Sequence, residues 1–315
     1  MNIAVIMNAA SGTDGAAAAE REQRIREAFA AAGATPRIHQ VKPGDLPRCL
    51  DIIAEGTDIV VAAGGDGTVS ALAGALAGGT VPLGVLPLGT LNHFARDLGV
   101  PQDLAEAAAV IVAGRSRRID VCEINGRVFV NNSSIGLYPE AVLHRERQQK
   151  ATGRGKWVAM GIAAARVLRR FRMLQARVKF PDRAMACATP LIFVGNNVYT
   201  VNFKQLGERA HLDGGVLSVY LVRSRGRLQM FWMMVRAILG RLDAVSDFEA
   251  VTATDVVVTI GSRHVQVAID GEVTPMQSPL HYRIHPAALT VIVPATPEAA
   301  AAAAADPEPG RDTPP

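Results

Sequence analysis

Gly64-Gly65-Asp66-Gly67-Thr68 is a run of small residues carrying one carboxylate, set between two apolar stretches. Residues 58–63 read as a strand and residues 69–77 as the helix that follows. A glycine turn at such a junction leaves backbone N–H groups able to point at a phosphate. The Asp66 carboxylate beside phosphates would then hold a magnesium ion. The pattern recurs at Pro87-Leu88-Gly89-Thr90-Leu91-Asn92, after the apolar run 83–86. Two such turns at the same end of adjacent strands outline a nucleotide site. Neither turn is followed by Gly-Lys-Ser/Thr, so phosphate binding would rest on the N–H groups of Gly64, Gly65, Gly67, Thr68, Gly89 and Thr90, with the threonine hydroxyls and Asn92 in support. Phosphoryl transfer needs mainly positioning and charge neutralisation, so this inventory is chemically adequate. The competing reading of each turn is a structural corner.

The elements around these turns alternate. Residues 2–7 form a buried strand pattern, 16–32 a helix stopped at Gly33, 37–41 a strand, 46–55 a short helix, and 104–113 an Ala-rich helix. A βαβα order implies a parallel sheet covered on both faces, with ligands beyond the carboxyl ends of its strands. After residue 118 the pattern changes to short strands with turn signals. A hairpin spans Asn125-Gly126, with strands at 119–124 and 127–131. Further strands are expected at 191–194, 216–222, 256–260, 265–269, 282–284 and 290–293. Helical patterns interrupt them at 157–174 and 228–239. The pattern predicts an N-terminal parallel-sheet α/β nucleotide domain over 1–118 and a C-terminal antiparallel sandwich or barrel-like domain over 119–294. An Ala/Pro-rich tail, 295–315, follows and is expected to be partly disordered.

The 315 residues are 49% hydrophobic and 20% charged, which excludes a globally disordered chain. Three scattered cysteines match neither a metal spacing nor a disulfide framework, the pattern of a reducing cytosol. The start lacks the basic region of a signal peptide, and no apolar run reaches the length of a membrane span. Net charge is +4, but residues 144–177 hold ten Lys/Arg against one acid, Glu146. So local a charge favours a membrane surface over nucleic acid. Arg145, Arg147, Lys150, Arg169 and Arg170 are the candidate lipid contacts, with Trp157, Phe171 and their apolar neighbours supplying surface for an interfacial helix. An ordinary amphipathic helix packed on the sandwich is the equal alternative.

The chain resembles the diacylglycerol kinase catalytic-domain family, which includes bacterial soluble lipid kinases and the sphingosine and ceramide kinases. The likeness is carried by Gly64-Gly65-Asp66-Gly67-Thr68, by residues 87–96, by Asn131-Asn132-Ser133-Ser134-Ile135-Gly136 and by Asp270-Gly271-Glu272. It implies a two-domain fold, an NAD-kinase-like α/β nucleotide domain and an antiparallel β-sandwich domain with the active site in the cleft between them, and transfer of the γ-phosphoryl group of ATP, with Mg2+, to a lipid alcohol such as diacylglycerol. The scattered cysteines and the basic stretch together give the expectation of a cytoplasmic protein that touches the inner face of the membrane transiently. The resemblance makes Asp270 the general base, where spacing alone reads an Asp-Gly hairpin turn. Glu272 would help hold magnesium, Asp120 would join a magnesium–water network, and Asn8 would line the nucleotide pocket, although Ala9 stands where the family has proline.

Two residues depart from the family pattern. His93 stands where an acid is common, and Gly214 replaces the second of two acids in a loop that holds a structural magnesium in some relatives. An NAD kinase shares the Gly-Gly-Asp-Gly-Thr turn, but its Asn-Glu pair is not evident, since Asn131-Asn132 is followed by Ser133. A non-catalytic nucleotide- or lipid-binding regulator is the remaining alternative. An exposed strand edge in the second domain would permit a homodimer.

Overall fold

A computed structural model describes residues 1–8, 15–42, 45, 56–136, 173–199, 209, 211–222 and 248–295. The proposed lipid-contact arginines and lysine, the 46–55 helix, the 228–239 helix and the tail after residue 295 lie outside these residues, as does all but the end of the 157–174 helix.

The parallel part of the fold follows the alternation read from sequence. Strand β1 (Ile3–Asn8) leads into helix α1 (Gly15–Ala31), then β2 (Arg37–Val41), β3 (Ile59–Gly64), helix α2 (Asp66–Leu76) and β4 (Leu83–Pro87). Two more helices follow, α3 (His93–Asp97) and α4 (Leu104–Ala113). Strands β1, β3 and β4 are buried along almost their whole length, as continuous Val/Ile/Leu/Ala runs require when helices cover both faces. Asp103 caps α4 by accepting from the N–H groups of Ala105 and Glu106, and Gly114 ends it with φ of 68°.

The remaining strands are β5 (Ser116–Ile124), β6 (Arg127–Phe129), β7 (Asn132–Gly136), β8 (Leu174–Lys179), β9 (Ala184–Thr189), β10 (Leu191–Asn196), β11 (Leu217–Val222), β12 (Phe248–Ala253), β13 (Asp255–Ile260), β14 (His264–Ile269), β15 (Glu272–Gln277) and β16 (Leu280–Ile292). Six of them, in order β12-β11-β10-β7-β14-β15, make one antiparallel sheet. The other sheet has ten strands, ordered β2-β1-β3-β4-β16-β13-β8-β9, with β5 on β16 and β6 on β5. The α/β layer therefore runs without a break into one face of the sandwich.

Strand β16 makes that continuity. It pairs in parallel with β4 at one end and antiparallel with β13 at the other, and β5 runs beside it over most of its length. Its Leu289, Val291 and Ile292 belong to the first core, and its Leu280, Tyr282 and Ile284 to the second. The sequence pattern reads this strand as two pieces, 282–284 and 290–293. The register slips between His285 and Leu289, where Ala287 has φ of 49°, so alternation is lost while the strand continues. The boundary expected at 118/119 likewise falls inside β5. Leu174, expected at the end of a helix, instead opens β8.

Candidate active site

The carboxyl ends of β1, β3 and β4 open on a cleft of about 830 Å3. Its first wall is Asn8, Gly64, Gly65, Gly67, Thr68, Leu88, Gly89 and Thr90; Arg127, Val128, Asp270 and Glu272 face them from the other side. The two walls come from opposite ends of the chain and meet because α2 packs on β3 and β4 and also on β6.

The glycines set how closely the two turns approach. A Cβ on Gly89 would lie 2.5 Å from the Gly65 Cα and 2.7 Å from Asn92 Oδ1. A Cβ on Gly64 would lie 2.5 Å from the Thr68 hydroxyl oxygen. Gly65 is the N-cap of α2 and offers no capping side chain, so the N–H groups of Asp66 and Gly67 have no helical acceptor, while that of Thr68 already donates to the Gly65 carbonyl at 3.0 Å.

In this structure Asn92 and Asp66 hold the two turns and the helix that follows. Asn92 has φ of 51° and is 7% exposed. Its Oδ1 accepts from the Gly89 N–H at 2.9 Å, and its Nδ2 donates to the carbonyls of Pro87 and Gly89 and to Gln102 Oε1. The Gly89 N–H is thus used inside the turn and does not point at a ligand. Asp66 accepts from the N–H groups of His93 (3.3 Å) and Phe94 (3.2 Å) and so caps α3 from a distance. It does not line the cleft. His93 is an exposed first residue of α3.

Asp120 is also taken up elsewhere. It is 2% exposed and accepts from the N–H groups of Gly215 (2.7 Å) and Ala287 (2.8 Å), fastening the 211–216 loop to the bulge of β16. It does not line the cleft. Asp213, the acid left in that loop, pairs with Arg117 at 3.3 Å.

Asp270 lies where the two walls meet. Asp270 and Gly271, with φ of 47° and 87°, form the two-residue loop of the β14–β15 hairpin. The Asp-Gly hairpin read from the spacing is present, and its Asp270 also lines the cleft. Its carboxylate receives four donors. Oδ1 accepts from the N–H groups of Asn131 (2.8 Å) and Asn132 (3.0 Å), and Oδ2 from the N–H of Val130 (3.0 Å) and the Ser70 hydroxyl (2.5 Å). Residues 130–132 are where the chain leaves β6 in one sheet and enters β7 in the other. Three successive amides at that bend converge on one carboxylate. Burial pushes the Asp270 carboxyl above the ordinary carboxylate range, against the pull of these hydrogen bonds.

Glu272, two residues on, bridges the walls. Arg127 donates to its Oε2 at 3.2 Å and to the Thr274 hydroxyl at 2.7 Å. A Cβ on Gly67 would lie 2.6 Å from Glu272 Oε1. In this state a carboxylate therefore occupies the N-terminal end of α2, where an anionic ligand would sit. Among the described residues no cluster of three or more His, Cys, Asp or Glu side chains could hold a metal unaided.

The sequence reading missed Ser70, Arg127, Arg21 and Arg209. Ser70 is a polar break in the apolar run that follows Thr68, and Arg127 follows the Asn125-Gly126 turn; those were the available signals. Arg21 lines the cleft from α1. Arg209 gave no signal. It is buried, pairs with Asp97 at 2.6 Å and donates to the Val130 and Asn196 carbonyls and to Asn131 Oδ1, clamping α3 to the 130–132 bend. Its guanidinium lies 5.4 Å from the centre of the Tyr199 ring.

An α/β sheet with two glycine turns, joined through a shared strand to a β-sandwich that presents a fixed carboxylate across a cleft, defines a two-domain class. Two family models place the chain within it. The diacylglycerol kinase catalytic domain matches residues 2–124, and the YegS C-terminal NAD kinase beta sandwich-like domain matches 140–293. The chain belongs to the diacylglycerol kinase catalytic-domain family. It is 34% identical over 169 residues to a YegS-like lipid kinase of Chromohalobacter salexigens, covering 52% of this chain and 53% of that one. It is 28% identical over 188 residues to a diacylglycerol kinase of Staphylococcus aureus, covering 59% of each. The chain thus spans little more than half the length of these curated relatives. Among solved structures, a diacylglycerol kinase of Bacillus anthracis superposes with a TM-score of 0.68 at 23% identity, over 95% of this chain and 98% of that one. A second structure from that organism gives 0.72 at 25% identity, over 94% and 97%.

Proposed function

We propose that the chain is a lipid kinase that moves the γ-phosphoryl group of ATP to the hydroxyl of diacylglycerol or a related lipid alcohol. The observation that carries this reading is the position of Asp270. It is a carboxylate held rigidly by three amides, facing the amino end of α2 across a cleft large enough for a nucleotide.

The nucleotide would lie along Asn8, the first turn of α2 and Thr90. The N–H groups of Asp66 and Gly67 in that turn would take phosphate oxygens, with Arg21 and Arg127 as the cations in the cleft wall. The donor set fits magnesium only in part. Asp66 and Asp120 each accept from two backbone amides away from the cleft, and Glu272 is the one of the three metal candidates that lines it. That suits a magnesium that arrives on the phosphates and keeps most of its water. Bound there, it would neutralise charge on the transferring group. Glu272 must leave the end of α2 for phosphate to enter, and Arg127, released from it, faces the incoming charge. Asp270 would accept the proton of the acceptor hydroxyl as the oxygen–phosphorus bond forms. Approach to a membrane surface would fall to the basic segment 144–177.

The test is transfer of labelled phosphate from ATP into a total bacterial lipid extract, run beside Asp270→Asn. A labelled lipid, reduced by about 100-fold or more in the variant, supports the reading. Without labelled lipid, conversion of NAD to NADP would show an NAD kinase, and ATP binding without any transfer would show a regulator of the same fold.

A further inference from the structure

We propose that Ser70 occupies the place of the acceptor hydroxyl on Asp270, and so keeps water off this carboxylate until a lipid alcohol displaces it. The inference deepens the lipid kinase reading and rests on it.

A carboxylate offers about four lone-pair positions, and Asp270 has four donors. Three are amides of the bend at 130–132, and the Asp270 N–H in turn donates to the Asn132 carbonyl at 2.9 Å. These cannot leave unless the crossing between the sheets comes apart. The fourth is a side chain. The Ser70 hydroxyl, 2.5 Å from Oδ2, makes the shortest of the four contacts and lines the cleft. Rotation about one bond would withdraw it.

Ser70 also comes from the right place. It lies two residues past Thr68 in α2, whose first turn would hold the phosphates. A hydroxyl at this point touches the base and lies beside the phosphate end of the cleft, which are the two requirements on an acceptor. The protein's own hydroxyl thus stands where the acceptor's must come.

Water is the competing acceptor, since it fits wherever a lipid hydroxyl fits. Against a saturated carboxylate it has no lone pair to use and little binding energy with which to displace Ser70. A lipid alcohol brings the binding energy of its acyl chains, which can be spent on that exchange. In the productive step the acceptor oxygen bonds to the γ-phosphorus while the bond from phosphorus to the β–γ bridging oxygen breaks. ADP departs with that electron pair, and the acceptor proton passes to Asp270 Oδ2. With water in the acceptor's place the same step yields inorganic phosphate.

The experiment compares ATP hydrolysis without lipid in the wild-type chain, Ser70→Ala, Ser70→Cys and Ser70→Thr, with phosphate transfer to dioleoylglycerol in mixed micelles measured alongside. Ser70→Ala and Ser70→Cys, which remove the strong donor, are expected to raise lipid-independent hydrolysis about tenfold. Ser70→Thr, which restores a hydroxyl on the same carbon, is expected to bring it back toward wild type. Structural damage would not produce such a gain. In Ser70→Ala the KM for the lipid falls and the KM for ATP is unchanged. No rise in hydrolysis, with lipid transfer intact in the wild type, overturns the proposal alone. Phosphate found on Ser70 itself by mass spectrometry also overturns it, because Ser70 would then be an acceptor. No transfer to any lipid alcohol by the wild type overturns the kinase reading and this inference together.

Discussion

A Cβ at residue 89 would fall 2.5 Å from the Cα of Gly65, a backbone atom that cannot rotate away. Gly89→Ala must therefore push the two turns apart. We expect a loss of about 1–3 kcal/mol in denaturant unfolding, as for overpacking elsewhere, and at least tenfold weaker ATP binding by calorimetry. Gly261→Ala is the control: nothing lies within 4 Å of its Cβ, and its stability should stay within about 0.5 kcal/mol of the parent. The turns themselves could be read from the chain, because glycines between an apolar strand and a helix have few other uses. The work of individual polar residues could not. Asp66 next to a glycine turn reads the same whether it takes a metal or caps a helix that begins at residue 93. Asp270 shows the converse case, since an Asp-Gly pair alone announces only a hairpin. Its three amide partners lie at the bend between β6 and β7 and become visible only when the sheets are assembled.

Among the elements, α3 is too short to hold itself in place. Five residues cannot supply the hydrogen bonds that offset helix nucleation. Asp66 fixes its start, and the buried Asp97–Arg209 pair, with both side chains at most 5% exposed, fixes its end. Removing one partner leaves the other charged and buried. Asp97→Ala or Arg209→Met should each cost about 3–5 kcal/mol in chemical denaturation, and the double variant clearly less than the sum. An additive result would mean the two charges do not depend on each other. At this scale the sequence served well for the parallel layer, where strands and helices differ in period. It served less well for the antiparallel strands. Strand β15 went unread because Pro275 interrupts it, which an edge strand tolerates. Strand β9, rich in alanine and half exposed, has little β pattern to show.

For the whole molecule the governing feature is that one strand serves two cores. A fragment ending at residue 124 would keep both glycine turns yet lose Leu289, Val291 and Ile292 from its interior and leave β4 without its outer neighbour. We expect such a fragment to show no cooperative thermal transition by circular dichroism, and a concentration-dependent tendency to associate through that edge. A sharp transition in the fragment would show instead that the α/β half stands alone. The two-domain outline was legible from the change of pattern near residue 118, but the sharing was not, because the bulge at 285–289 breaks the alternation that would have joined the two pieces of β16. The same strand bears on biosynthesis. A ribosome releases residues 1–124 long before residues 280–292, and chains generally begin to fold from the amino end as they emerge. Here the nascent nucleotide half must wait, with an open sheet edge, until almost everything else described has been translated. The last of the described strands closes both halves at once, so the cleft is not assembled before its opposite wall exists.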